Sequence, residues 1–365
     1  MGQKWNKEKI WNWYNSKSWI RGCNYISSDC ANRIDQWQSY QCEERFETEK
    51  RELELAQSIG FNSIRVIVEY DVWNKEHDEF MKNLERHISI ADNHGMTVMI
   101  VLSNECCVPK DAYKETVLGP QRYDLGYHGG RKISPHQGGA STYSIIDEPE
   151  IAERYLDMVK EIITKYKSDD RVIAWNLMNE PGNRREDKSL DFLKKLFEVA
   201  REIDPIQPLA ADVWDEVDEM GYPLRNIERV ALELSDFVSF HCYGDFCRMV
   251  KKVTALKKVG RPLICTEWLC RIRNNYVQDN FPYFFSEKIG CYNWGLVASY
   301  KTQYFEPYNR IWDELENPDI DTSHLNVTAW MHDLFRPSHH PYDPKEIAII
   351  KEFTALADRE EQRVK

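Results

Sequence analysis

An α/β fold, closed as a (β/α)8 barrel, is what this sequence predicts, and three observations predict it. Short apolar, β-branched runs alternate with amphipathic stretches along the chain. The runs are continuously apolar, as strands of a parallel sheet covered on both faces must be. There are eight of them, and eight strands with helical partners close a barrel more naturally than an open sheet. No G-x-G-x-x-G follows the first run, which removes the main argument for a dinucleotide-binding fold.

In chain order the candidate strands are "SWIRGCNY" (18–25), "SIRVIVEY" (63–70), "TVMIVLS" (97–103) and "VIAWNLM" (172–178). Then come "PLAAD" (208–212), "FVSFHCY" (237–243), "PLICTEW" (262–268) and "CYNWGLVAS" (291–299). The segments between carry helical spacing: Phe80, Leu84, Ile88 and Ala91 share a face of 79–94, and Ile151, Tyr155, Met158 and Ile162 a face of 149–166. Gly60 and Gly95 stand where helices should stop. Two connections are long, 103–148 after the third strand and 300–328 after the eighth, and both belong to the face on which barrel active sites are built. Nothing reads as a linker or an internal repeat, so residues 1–365 are expected to form one domain.

Charge and composition narrow the partners. A net charge of −12 and an isoelectric point near 5.4 suit a soluble protein and disfavour grip on phosphate backbones, so no nucleic acid is expected. No apolar run approaches the roughly 18–20 residues of a membrane span, so no membrane is expected either. The start, "MGQKWNKEKIWNWYNSKSWI", has no apolar block or small-residue cleavage site, and Asn6 speaks against myristoylation. The ten cysteines are then expected reduced, in a cytoplasm. Cys242 with Cys247, and Cys265 with Cys270, form two C-x4-C pairs, wider than a structural zinc knuckle. They are expected to be small buried apolar residues, with no metal and no cofactor.

The chemistry is written at the strand ends. "WNLMNEP" closes the fourth strand with Asn179, Glu180 and Pro181, and "PLICTEW" closes the seventh with Thr266, Glu267 and Trp268. A buried carboxylate is expensive unless something uses it. Pro181 disfavours helical geometry at Glu180, which is therefore expected extended at the strand's rim. The fourth and seventh strands lie roughly across the barrel mouth from each other, so the two side chains can converge. Glycoside hydrolysis needs two flanking carboxylates, and a separation of ~5–5.5 Å gives retention.

With these motifs the chain resembles the clan of retaining (β/α)8 glycosidases, most closely the cellulase-like glycoside hydrolase family 5. The resemblance implies that Glu180 is the acid/base and Glu267 the nucleophile, and that Asn179 bonds the sugar 2-hydroxyl. It implies further that Arg65 holds the nucleophile ionised, that His241 and Tyr243 match the family's sixth-strand His-x-Tyr, and that Trp294 floors the sugar site. The family's usual histidine at the end of the third strand is replaced here by Ser103 or Asn104. Trp37, Trp73, Trp268 and Asn104 are further candidates for sugar contact; His128, His136, Lys301 and Gln303 in the long loops either shape subsites or form polar surface.

The implied activity is a retaining β-glycosidase acting on β-linked oligosaccharides or glycosides without a cofactor. The alternatives are an endo-β-glucanase or endo-β-mannanase and, from another class, a non-catalytic sugar-binding barrel. Long loops over the mouth favour exo action.

Overall fold

Nine short strands, all paired in parallel, form one sheet whose two outer members are consecutive pieces of the same run. The computed structural model describes residues 3–107, 110, 113, 115–121, 142–298, 319, 321, 323 and 329–364. The strands are β1 (Arg21–Asn24), β2 (Ser63–Ile67), β3 (Thr97–Val101), β4 (Val172–Asn176), β5 (Leu209–Ala210), β6 (Asp212–Val213), β7 (Val238–His241), β8 (Leu263–Trp268) and β9 (Gly290–Trp294). The sheet order is β5-β4-β3-β2-β1-β9-β8-β7-β6.

β5 and β6 are the expected fifth strand, and the sheet meets itself between them at Ala211. The Ala211 N–H donates to the Ser235 hydroxyl at 2.9 Å instead of to a neighbouring strand. β5 therefore pairs with β4, and β6 with β7. The result is the (β/α)8 barrel the sequence predicts, with the fifth stave broken once.

Among the described residues the helices are α1 (Lys7–Asn15), α2 (Arg33–Trp37), α3 (Cys42–Ser58), α4 (Tyr70–Lys75), α5 (His77–Asn93), α6 (Pro149–Tyr166), α7 (Leu190–Ile203), α8 (Asn226–Leu234), α9 (Phe246–Leu256), α10 (Val277–Ser286) and α11 (Pro344–Val364). α5 buries Phe80, Leu84, Ile88 and Ala91 as expected. α6 buries Tyr155, Met158 and Ile162, while Ile151, in its first turn, is only half-buried. Gly60 and Gly95 follow α3 and α5 with φ of 85° and 69°, the left-handed conformation that glycine adopts without steric cost.

Strand alternation divides the apolar residues into two cores. Met99, Ala174, Phe237, Ile264 and Tyr292 fill the barrel interior. Val98, Ile100, Trp175, Val238, Phe240, Cys265 and Trp268 face the helices. The N-terminal segment joins the interior core: Trp5 and Ile10 pack with Ile20, Phe237 and Ile264. The Trp5 N–H donates to Asp236 Oδ1 at 2.8 Å, which fastens this segment to the lead-in of β7. The polar side chains of the barrel are thereby left for the opposite end.

One bulge, an extra residue in β8 felt by both of its neighbours, shapes that end. The β7–β8 register shifts between Phe240 and His241, and the β8–β9 register shifts between Cys265 and Trp268. An extra residue in a strand lets two successive side chains face the same way. Thr266 and Glu267 accordingly both reach into the barrel, with Thr266 Oγ1 2.8 Å from Ser239 Oγ and Glu267 Oε1 2.9 Å from Arg65 Nη1.

Ile10, fully buried in the interior core, is the simplest test of that packing. Ile10→Ala should lower the unfolding free energy by about 2–5 kcal/mol, read from urea denaturation, with turnover per folded molecule unchanged.

Candidate active site

The site is built around Arg65, which β2 points into the barrel. Its Nη1 donates to Asn24 Oδ1 at 2.6 Å and Glu267 Oε1 at 2.9 Å. Its Nη2 donates to Asn179 Oδ1 at 2.6 Å and Asp212 Oδ2 at 3.0 Å. A planar guanidinium with fixed donors suits such convergent acceptors. Arg65 thus joins the ends of β1, β4, β6 and β8. Burial works against its charge, but Asp212 and Glu267 outweigh burial and raise its pKa.

Above it lie the two carboxylates. One carboxylate oxygen each of Glu180 and Glu267 and one ring nitrogen of His241 all lie within 4.8 Å of one another. His241 Nδ1 is 2.9 Å from Glu180 Oε1 and 3.5 Å from Glu267 Oε2, and Nε2 is 3.3 Å from Asp212 Oδ2. Burial alone would discharge this imidazole; Glu267 and Asp212 overcome it and lift its pKa to about 10, so the ring is cationic at neutral pH. It lies between two groups that would otherwise repel each other.

The Tyr243 hydroxyl donates to Glu267 Oε2 at 2.8 Å. Burial raises the Glu267 carboxyl above its ordinary range, opposed by His241 and Arg65. Burial would raise Asp212 too, but His241 and Arg65 prevail and hold it well below the usual carboxylate range. Asp212 also accepts from Ser239 Oγ at 2.5 Å and Asn176 Nδ2 at 2.6 Å.

Glu180 departs from expectation in its backbone. It adopts φ of 48°, not an extended conformation, at a cost of roughly 1–2 kcal/mol for a residue with a Cβ. The chain after β4 turns at once, with the Asn183 N–H donating to the Glu180 carbonyl at 3.1 Å. That turn brings Asn183 Nδ2 within 2.6 Å of Glu180 Oε2. Strain of this kind at a charged rim residue is what a functional position tolerates.

Asn179, Arg65, His241, Tyr243 and Asn104 are all drawn into the carboxylate cluster, Asn104 by accepting from Asn179 Nδ2 at 2.9 Å. Trp294 ends β9 beside Asn24 in the β1 register, nearly buried, its ring edge toward His332. Three candidate sugar contacts lie elsewhere. Trp37 is core: its Nε1 donates to the Ile67 carbonyl at 2.8 Å and its ring packs on Phe80 and His87. Trp268, the residue after the bulge, turns outward onto Phe281 and Phe284. Trp73 is buried as well, its Nε1 donating to Glu161 at 2.9 Å. His128, His136, Lys301 and Gln303, with most of both long loops, lie outside the described residues.

Cys242, Cys265 and Cys270 are buried as expected, whereas Cys247 is exposed on α9. Among the described residues the one compact set of potential metal ligands is Glu180, His241 and Glu267. Both ring nitrogens of this imidazole already face carboxylates, Nδ1 toward Glu180 and Nε2 toward Asp212.

Three participants escaped the sequence reading. Asp212 had a visible signal, a carboxylate closing a strand as Glu180 and Glu267 do. Cys106 and Asn183 had none, because each reaches Glu180 through a turn: Cys106 Sγ stands 3.0 Å from Glu180 Oε2. The "SNECC" segment at 103–107 is tied to β4's extension, with the Asn179 N–H donating to the Ser103 carbonyl at 2.8 Å and the Glu105 N–H to the Asn179 carbonyl at 3.0 Å. Glu105 is paired with Arg185, which also pairs with Asp147.

The Cellulase (glycosyl hydrolase family 5) model matches residues 26–311, well over half the chain. A curated relative, Probable mannan endo-1,4-β-mannosidase A of Aspergillus clavatus, is 23% identical over 179 residues, 45% of this chain and 44% of that protein. The chain thus aligns with less than half the length of this relative. Among solved structures, an exo-β-1,4-mannosidase from Opitutaceae bacterium strain TAV5 superposes with a TM-score of 0.58 at 15% identity, over 93% of this chain and 60% of that one. A family 5 mannosidase from Rhizomucor miehei does so with a TM-score of 0.55 at 14% identity, over 93% of both chains. At such identities these structures establish the barrel fold.

The charge cluster makes a pH prediction. His241 titrates at about 10 in the folded chain and about 6.5 unfolded, so its stabilising contribution is complete below pH 6.5 and is lost as pH rises through 10. Scanning calorimetry from pH 6.5 to 10 should show a falling unfolding midpoint, and the fall should be shallower in His241→Asn.

Proposed function

The chain belongs to glycosyl hydrolase family 5, and from that premise we propose that it is a retaining β-glycosidase with Glu180 as acid/base and Glu267 as nucleophile. The observation that carries the reading is the approach of their carboxylate oxygens within 4.8 Å, in a buried polar centre. That spacing suits direct attack on the anomeric carbon and leaves little room for the intervening water of an inverting enzyme.

In the first step Glu267 attacks the anomeric carbon while Glu180 protonates the departing oxygen. Arg65 and the Tyr243 hydroxyl hold the nucleophile's two oxygens and aim it. Glu180 then takes a proton from water, which displaces Glu267 and restores the sugar's configuration. His241 lies between the two carboxylates and stabilises whichever is ionised, Glu267 before attack and Glu180 in the intermediate, and Asp212 orients His241 from behind. Each step uses side chains alone.

The substrate is a β-linked carbohydrate. The relatives named for mannan and β-mannosides make β-mannosides and short β-mannan oligosaccharides the first choice. Endo action on mannan is the second reading, favoured by the Aspergillus clavatus relative's name. A reducing cytoplasm suits the Cys106 thiol that contacts Glu180.

Azide separates the two roles. With a dinitrophenyl β-glycoside, which needs no protonation, Glu180→Ala should form the intermediate and stall. Azide should rescue it to a β-glycosyl azide, because an anion needs no general base. Glu267→Ala should lose turnover by several orders of magnitude, and azide should enter it from the opposite face to give the α-azide. Product anomers assigned by NMR decide the matter: swapped anomers reverse the roles, and wild-type turnover in both variants ends the proposal.

A further inference from the structure

The turn that follows β3, from Ser103 to Cys106, is a built platform. The bridge between Asn104 and Asn179 registers it on β4's extension. Asn104 Oδ1 accepts from the Cys106 N–H at 3.3 Å, and buried Glu105 is paired with buried Arg185 at 3.2 Å. The platform ends on Cys106, whose Sγ lies 3.0 Å from Glu180 Oε2. From the other side, buried Asn183 donates to the same oxygen at 2.6 Å, with its Nδ2 3.7 Å from Cys106 Sγ.

We propose that Cys106 and Asn183 are positioning residues that act through Glu180: together they fix Oε2 and set the pH at which Glu180 gives up the proton the leaving group needs. This rests on the acid/base reading of Glu180 given above. The thiol acts as a donor and not as a nucleophile, because burial and the neighbouring Glu180 charge push its pKa well above the ordinary value. Donors aimed at a carboxylate favour its ionised form. Removing one therefore lets Glu180 keep its proton to higher pH.

The test is the pH profile of kcat/KM on a β-linked oligosaccharide that the wild type hydrolyses, whose poor leaving group needs the proton. The alkaline limb should move up by about 0.5 unit in Cys106→Ala and about 1 unit in Asn183→Ala, since a thiol is the weaker donor. In Cys106→Ser, where a hydroxyl still donates, it should stay within about 0.2 unit of wild type. A packing role would lower rates evenly across pH without moving the limb. If both alanine limbs superimpose on wild type while Glu180→Ala is defective, this inference falls and the acid/base reading stands. If Glu180→Ala turns over like wild type, both fall.

A readout independent of activity is the S–H stretching band, isolated as the infrared difference between wild type and Cys106→Ser. It should lie below the frequency of an unbonded thiol and return toward it in Glu180→Ala. A band already at the unbonded position in wild type overturns the proposal.

Discussion

Everything at the mouth of this barrel depends on one buried cation. Arg65 is almost completely enclosed, and its two terminal nitrogens bond side chains from four strands or their extensions. A guanidinium placed there without partners would be untenable. With Asp212 and Glu267 beside it, the same desolvation that makes the charge costly makes each ion pair strong. Removing either partner would strand a charge, so the four strand ends are obliged to converge. The site is therefore a condition of the fold as well as a product of it.

Around that cation the charges alternate. Arg65 faces Asp212 and Glu267; His241 faces Asp212, Glu180 and Glu267. Asp212 is shared by both cations, which explains why a fully buried aspartate is held ionised. The pattern puts opposite demands on the upper pair. Glu267 has a guanidinium, a phenol and an imidazolium at hand, of which the two cations oppose the burial that raises its pKa, and all three aim it. Glu180 shares the His241 imidazolium and adds two neutral donors, the Asn183 amide and the Cys106 thiol. Groups whose surroundings differ in this way can divide the work of nucleophile and proton carrier.

The barrel staves and their loops contribute differently. Arg65, Asp212, His241 and Glu267 come from strands, where packing on both faces leaves little play. Glu180 comes from the turn after β4 in a left-handed conformation, and its partners Cys106 and Asn183 come from two turns held by the Glu105–Arg185–Asp147 pairs. Rigid strands thus supply Glu267, and a tied pair of loops supplies Glu180. Glu105 and Asp147, from the two ends of the 103–148 connection, meet on the same arginine.

The sequence by itself determined the strand count, the parallel sheet and the placement of Glu180 and Glu267 at opposite strand ends, because these follow from local signals. Continuous apolar runs specify strands buried on both faces, helical spacing specifies the covering layer, and a carboxylate closing such a run is conspicuous. Only the tertiary structure decided which way the residues near those ends point. Period-2 alternation would have turned Glu267 away from Thr266's side; the β8 bulge brings both inward and sends Trp268 out to the helices. Trp37, on a short helix ahead of α3, was free in sequence to line the cleft or the core, and the Ile67 carbonyl and Phe80 ring settle it as core. Cys106 and Asn183 could not be read at all, since their role depends on where two turns, distant in sequence, come to rest. Register shifts and turn contacts are pairwise properties of neighbouring segments, and a single sequence carries no local signal for them.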